Sequence, residues 1–438
     1  MAEDQEAPRR REGRPHIIPP APGWRVDAQG RPEGWPVLDD VDGALGLTLW
    51  RALRAVWTWV DTPPERRGGL SQEPTREVRE RFAYAALEAP ELESAFGTFA
   101  LLVRAANVLD GTVLAEACAV VHTWAEARGL TETAVHFAEA SARADEEDAY
   151  RANLAGRTCR RAGLNDRASM WFARAFGVAL RARNSGETIR ALLGYGALMK
   201  ELGRHDEARR LFLRAARRAA RTGRRRQAAE AQHDLMTLAV ERGTYEQAED
   251  HLRQALRLYP ARHPRLPALA FDWGFLLVRL GLHSEALPLL ERLGPLIQRP
   301  EDQTLVWSVT ARAAAGAGHV GRHDELAERV FPAAGLHAEY AAGALYNLAE
   351  AAVSLGRWER AEILVEAALE LARARNDAEV ERVALDLCGR IARREVPAHS
   401  RSGAGTEPSR ALSRRLAARL ARWKALTHRS AVPHSRET

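Results

Sequence analysis

Cysteine is scarce. Cys118, Cys159 and Cys388 are the only three in 438 residues, they are far apart, and no CxxC pair occurs. That excludes a disulfide framework and points to a reducing compartment. Lysine is nearly missing: Lys200 and Lys424 stand alone among 64 basic residues, and the rest are arginine. Arginine abundance is thus a habit of the whole composition and is not by itself a sign of phosphate binding. Aromatics make up 6% of the chain. No apolar run is long enough to span a bilayer, since Arg51 and Arg54 interrupt the greasy stretch 45–60. The first residues, MAEDQEAPRRREGRPH, have no apolar core of the signal-peptide kind, so a cytoplasmic protein is expected. Nucleophile elbow, phosphate loop and HExxH are all missing, which removes the common catalytic signatures.

The basic pI of 9.6 is local in origin. Residues 409–438 hold eight Lys/Arg against Glu437, a net of +7, while the whole chain is +6. Everything before the tail is therefore close to neutral.

What the chain has in quantity is Ala, Leu and a period. A Gly, followed five residues on by a small residue, recurs at Gly129, Gly163, Gly203, Gly243, Gly281, Gly321 and Gly356, every 34–40 residues. The partners are Ala134, Ala168, Ala208, Ala248, Ala286 and Ala361, with Leu326 as the exception. Such a period without strand-like segments is the mark of stacked helix pairs, each a helix A, a Gly turn and a helix B. An acid opens each helix B, at Glu132, Asp166, Asp206, Glu246, Glu285, Asp324 and Glu359, where a carboxylate complements the helix dipole. Twelve residues before the Ala a second small residue recurs: Gly156, Gly196, Gly274, Ala314 and Ala349. It is expected to let helix A approach helix B. Leu326 predicts looser packing in the sixth pair, and Pro332 predicts an early end to its helix B.

On these residues the chain resembles the tetratricopeptide repeat superfamily. Gly196, Gly203, Ala208, Phe212 and Ala215 fit its pattern, as do Gly156, Gly163, Ala168, Phe172 and Ala175, and Ala248, Leu252, Ala255 and Pro260. The resemblance covers roughly 112–395. Its 38–40-residue spacings are similar to those of the longer repeats in kinesin light chains and peptide-sensing bacterial regulators, without an N-terminal DNA-binding helix-turn-helix. It implies an all-α solenoid of about seven helix pairs in a right-handed superhelix, acting as a non-catalytic scaffold without cofactor.

The remaining segments are read from composition. Residues 1–40 are rich in Pro, Gly and charge and predict a flexible arm. Residues 41–111 predict an N-terminal helical cap: a helix at 41–61, a loop at 62–74, and helices at 75–88 and 91–109. Five of eleven tryptophans (Trp24, Trp35, Trp50, Trp57, Trp59) lie in the first 60 residues, suited to covering the first repeat. After the array of 112–395, closed by a single helix at 377–394, come a linker at 396–408 and a basic amphipathic tail at 409–438. Its Leu412, Leu416, Leu420 and Trp423 form one stripe, with Ser409 as the expected N-cap. The tail either caps the open end of the array or binds an acidic partner or anionic surface.

In the resembled family the groove between helices A takes the ligand. By register it is lined here by Asn153, Arg157, Arg160, Arg190, Lys200, His233, Thr237, Phe271, Asp272, Phe275, Tyr346 and Asn347. The family's carboxylate clamp for chaperone tails is not reproduced. Aromatic, basic and amide groups together suit an extended peptide with some negative charge. The alternative is a regulator that contacts nucleic acid or an anionic surface through the tail and the basic patch Arg210, Arg214, Arg217, Arg221, Arg224 and Arg225. GAGHVG at 316–321 follows a helix, not a strand, and belongs to a repeat turn rather than a dinucleotide site. His205, His283 and His323 share one repeat offset with Tyr245 and Trp358, so they read as turn packing and no metal is expected.

Overall fold

The computed structural model describes residues 36–70, 75–260, 263–297, 300–336, 338–374, 377–395 and 407–430, and among these there is no strand. Trp24, Trp35 and most of the expected arm and linker lie outside them. Four helices come first: α1 (Pro36–Asp40), α2 (Gly43–Asp61), α3 (Thr75–Glu88) and α4 (Glu93–Arg104). Seven antiparallel pairs follow: α5 (Gly111–Ala127) with α6 (Thr131–Ala144), α7 (Ala149–Arg161) with α8 (Asn165–Arg181), α9 (Ser185–Glu201) with α10 (His205–Arg221), and α11 (Arg225–Glu241) with α12 (Tyr245–Leu258). The series goes on with α13 (Leu266–Arg279) and α14 (His283–Leu293), α15 (Pro300–Gly316) and α16 (Val320–Leu336), and α17 (Ala338–Ser354) and α18 (Trp358–Ala374). α19 (Ala378–Ala392) and α20 (Glu407–Ser430) are the last. The chain divides into two units, one up to Gln227 and one from Ala228.

In the first unit the N-terminal helices share one core with the first pair. Trp50, Trp57 and Trp59 are buried with Phe96, Phe99, Leu114, Val121 and Phe137. Trp59 Nε1 donates to Ala106 O at 2.8 Å. Pro36–Asp40, assigned to the arm by composition, is helical, and Asp40 Oδ2 accepts from the Thr133 amide at 2.8 Å. That carboxylate satisfies an otherwise open N–H in the first turn of α6. Part of the expected loop at 62–74 is a 3₁₀ turn, Pro64–Leu70.

The repeat turns are Schellman motifs. At the α7–α8 junction Gly163 N donates to Arg160 O and Leu164 N to Cys159 O, closing helix A with the glycine at φ +75°. Gly129, Gly203, Gly243, Gly281 and Gly356 lie between +69° and +73°. The sixth pair departs from the expected register. Its left-handed glycine is Gly318, at +82°, while Gly321 lies inside α16. Asp324 is accordingly past the first turn, and α16 runs through Pro332 instead of ending there. The spacing signalled this: Gly281–Gly318–Gly356 divides into 37 and 38, more evenly than the 40 and 35 obtained with Gly321.

The corrected register puts His323, not Leu326, at the small-residue position of helix B. His323 Nδ1 lies 3.2 Å from Ala311 O, twelve residues earlier. The first pair is its mirror image: His122 stands at the helix A position and its Nδ1 lies 3.0 Å from Ala134 O. Elsewhere the helix A residue does not meet the Ala. It meets the side chain four residues beyond. A Cβ on Gly156 would sit 2.9 Å from Phe172, one on Gly196 2.5 Å from Phe212, and one on Gly274 2.7 Å from Leu290. Size is thus exchanged across these three crossings, Gly on helix A against Phe or Leu on helix B. Ala208, with no exposed surface, is hemmed in at such a crossing. Ala208→Leu is expected to cost about 1–3 kcal/mol by overpacking. A urea midpoint equal to wild type would show that the register is wrong.

In the second unit the tail helix does not cap the open end. α20 lies against α12, α13 and α14, and Leu412, Leu416 and Leu420 are buried with Leu252, Trp273, Leu289 and Leu293. Trp273 Nε1 donates to Ser413 Oγ at 2.9 Å, Arg410 pairs with Glu285 at 3.2 Å, and Arg419 donates to Tyr259 O at 3.0 Å. The helix starts at Glu407, two residues before the expected cap Ser409. The side chains of Trp423 and Lys424 lie outside the described ones.

Candidate functional site

In the first unit the helix A side carries an open cleft of about 570 Å³ between α5 and α7. Asp110 and Asp148 start these helices by accepting from Thr112 N and Tyr150 N, both at 2.7 Å, and so fix where the cleft residues emerge. Val120 and Trp124 come from α5, Tyr150 and Leu154 from α7. Tyr150 is 51% exposed. Arg128 lies over the Trp124 ring, 4.8 Å from its centre, and pairs with Glu91 at 2.9 Å. Arg151 bonds Glu116 at the other rim, 3.1 Å away. An apolar floor between paired charges takes side chains of mixed character.

The five groove residues expected in this unit are placed unequally. Asn153 is buried and donates to Glu187 O and Oε2 at 3.1 and 3.0 Å, tying α7 to α9. Arg160 pairs with Glu201, and Arg190 with Glu187 while approaching the Tyr150 ring at 5.8 Å. Lys200 is half-buried. Arg157 alone is an exposed cation with no partner among the described residues. The cleft residues Trp124 and Tyr150 were not singled out beforehand. The Arg190 position, eighteen residues before the repeat's Ala, falls on Tyr150 one repeat earlier, whereas no expected groove position reaches Trp124.

The second unit presents its helix A residues in two polar clusters. His233, 1% exposed, holds Asp272 Oδ2 at 2.6 Å through Nε2, and its Nδ1 faces the Tyr259 hydroxyl at 3.4 Å. Burial pushes the Tyr259 hydroxyl up. Phe271 and Phe275 stack at 6.2 Å, and Thr237 donates back to Asp234 O. The other cluster centres on Glu350, a residue not expected at the sequence level. Arg390 grips it with two bonds of 3.0 Å, Tyr346 donates to Oε1 at 2.8 Å, and Arg312 stands 3.6 Å away. Against the cost of burial, these cations hold its carboxyl down at about 2. Asn347 is buried between Ser308 and Gly343. The sequence signal was there: Arg312 and Arg390 are 38 and 40 residues either side of Glu350, one repeat each way.

The basic patch maps to α10, the turn after it and the first residue of α11, with Arg210, Arg214, Arg217, Arg221, Arg224 and Arg225 all exposed. Among the described residues no cluster of His, Cys, Asp or Glu could hold a metal ion, and no helix is long and apolar enough to cross a membrane.

Fold and faces together define an all-α protein of stacked helical hairpins. Family models described as tetratricopeptide repeat match residues 187–261 and 344–379, which hold the third, fourth and seventh of these hairpins. No curated protein matches the chain. Among solved structures it is similar to a tetratricopeptide repeat protein from Parabacteroides merdae, at 18% identity over 63% of this chain and 98% of that one, with a TM-score of 0.41. It is also similar to the Rap conjugation gene regulator of plasmid pLS20 in complex with the Phr peptide (14%, 82% and 98%, TM-score 0.46). A Rap protein complexed with competence and sporulation factor is a third (10%, 79% and 99%, TM-score 0.35).

Proposed function

We propose that the protein is a non-catalytic interaction scaffold that holds a peptide or protein segment against the helix A face of its first unit. The observation that carries this reading is the open cleft beside Tyr150, with the unpaired Arg157 farther along the same helix. An exposed aromatic over an apolar floor is an anchor point, and a free guanidinium two turns along the same helix face selects a carboxylate. The groups with strong chemistry elsewhere are engaged within the fold, such as Glu350 by two arginines and His233 by Asp272. Contact with nucleic acid or an anionic surface through the tail is less well supported, because α20 buries its leucine stripe in the second unit.

The test is capture from cell extract followed by mass spectrometry, with wild type, Tyr150→Ala and Arg157→Glu. Both substitutions lie at exposed positions and are expected to leave the melt within about 0.5 kcal/mol of wild type. Each is expected to reduce capture of one and the same partner by about tenfold or more. Undiminished capture by both variants would remove the cleft from the proposal.

A further inference from the structure

The nine arginines between 209 and 226 are accompanied by no acid anywhere from 208 to 229. On α10 the buried stripe is Ala208, Phe212, Ala215 and Ala219. Arg210, Arg214, Arg217 and Arg221 lie diametrically opposite it, at i, i+4, i+7 and i+11, a row about 16 Å long. All four are exposed. Arg210, Arg217 and Arg221 have no acidic partner among the described residues, and Arg214 rests 5.7 Å from the Phe176 ring on α8. The like-charge neighbours along this row weakly oppose the helix they sit on.

Composition does not account for the row, because the preceding helix B treats its arginines differently. On α8, Arg167 pairs with Glu139, Arg174 with Glu146 at 3.3 Å, and Arg181 with Glu147 at 3.4 Å. Beyond the exposed Asp166 of its first turn, the outward side of α8 is apolar and small instead: Ala173, Gly177 and Leu180 at i, i+4 and i+7, with Leu180 42% exposed and Phe176 half-buried beside Arg214. The surface is therefore two parallel strips, one of small apolar residues and one of unneutralised guanidinium groups.

We propose that the outward faces of α8 and α10 dock an acidic amphipathic helix of a partner protein. Its apolar stripe lies along Ala173, Gly177 and Leu180, and its carboxylates, repeating at helical spacing, meet Arg210, Arg214, Arg217 and Arg221. The apolar strip distinguishes this occupant from nucleic acid. Phosphates have no use for it, and no free aromatic face stands by the arginines to stack a base, since Trp171 is buried and Phe176 is covered by Arg214. The surface is separate from the helix A cleft and does not depend on it.

The probe is a synthetic helical peptide with Glu at i, i+4, i+7 and i+11 and leucines on the adjoining stripe, titrated into the full chain by fluorescence anisotropy at about 150 mM salt. Its Gln counterpart and a short DNA duplex are titrated alongside. The Glu peptide is expected to bind wild type, and to lose about tenfold or more on the double variant Arg210→Glu/Arg217→Glu and again on Leu180→Ser. All these positions are exposed, and circular dichroism checks that each variant stays helical. Equal binding of the Gln peptide, undiminished binding by the variants, or no binding to wild type would overturn the proposal. So would tighter binding of the duplex with loss on the same arginines, an outcome that would assign the surface to nucleic acid.

Discussion

Leu416→Ala is expected to destabilise the second unit by about 3 kcal/mol, within the 2–5 kcal/mol range of buried leucine truncations. Leu416 has no exposed surface, and it sits between Leu412 and Leu420, which are equally enclosed. The helix that carries them is polar elsewhere, with Arg414, Arg415 and Arg422 exposed. Beside the leucine stripe, the hydrogen bonds of Ser413 and Arg419 and the Arg410–Glu285 pair also hold α20, but contacts of these kinds contribute about 1 kcal/mol each. Arg415→Ala is the matched control, expected within about 0.5 kcal/mol of wild type. Urea unfolding read by tryptophan fluorescence reports the result, since Trp273 is one of the residues the helix covers. A Leu416→Ala variant as stable as wild type would mean that α20 is not part of the fold in solution.

The fold was legible because its rule repeats. Glycine at the turn and a small residue five later are local demands of backbone geometry, and each copy strengthens the reading of the others. The misreadings came where two residues could satisfy the same rule. Gly318 and Gly321 are three apart, and only the evenness of spacing separates them. His323 took the small position unnoticed because a histidine there does by hydrogen bonding to Ala311 O what alanine does by size. Pro332 was read as a stop, and α16 continues through it. The site was less legible for a different reason. Helix register says which side chains share a face, but not which of them neutralise one another. Arg160, Arg190 and Arg157 are alike in sequence. Arg160 finds Glu201 on the next helix A, Arg190 finds Glu187 one turn back on its own helix, and Arg157 has neither. The tail's destination was equally out of reach, since its amphipathic pattern fits any apolar groove.

Acid is expected to weaken both units, the second of them in two steps. His136 in the first and His283 in the second are buried, and desolvation pushes each down to about 4 from an ordinary value near 6.5. Arg167 beside His136 and Arg312 beside His283 add to the same shift. Above pH 6.5 both rings are neutral in folded and unfolded chains alike, so neither contributes a pH dependence. Between 6.5 and 4 the unfolded chain takes up protons that the folded chain refuses, so stability falls as pH falls, by about 1.4 kcal/mol per unit for each histidine. His122 and His323 are shifted in the same direction, chiefly by burial, and add to the slope. Below 4 the histidine contribution levels off. Glu350 then takes over: held at about 2 in the fold, it stays ionised while its unfolded counterpart protonates, so the second unit goes on losing stability from about 4.5 down to 2. Urea titrations at pH 7 and pH 5 isolate the first step. Wild type is expected to lose about 2 kcal/mol per buried histidine over that interval, and His136→Gln or His283→Gln to lose correspondingly less, because glutamine has no proton to gain. His283 Nδ1 has no hydrogen-bond partner among the described residues, so a charged ring there would bury an unmet N–H as well. If each variant lost as much between pH 7 and pH 5 as wild type does, the burial of these rings could not be the cause of the acid sensitivity.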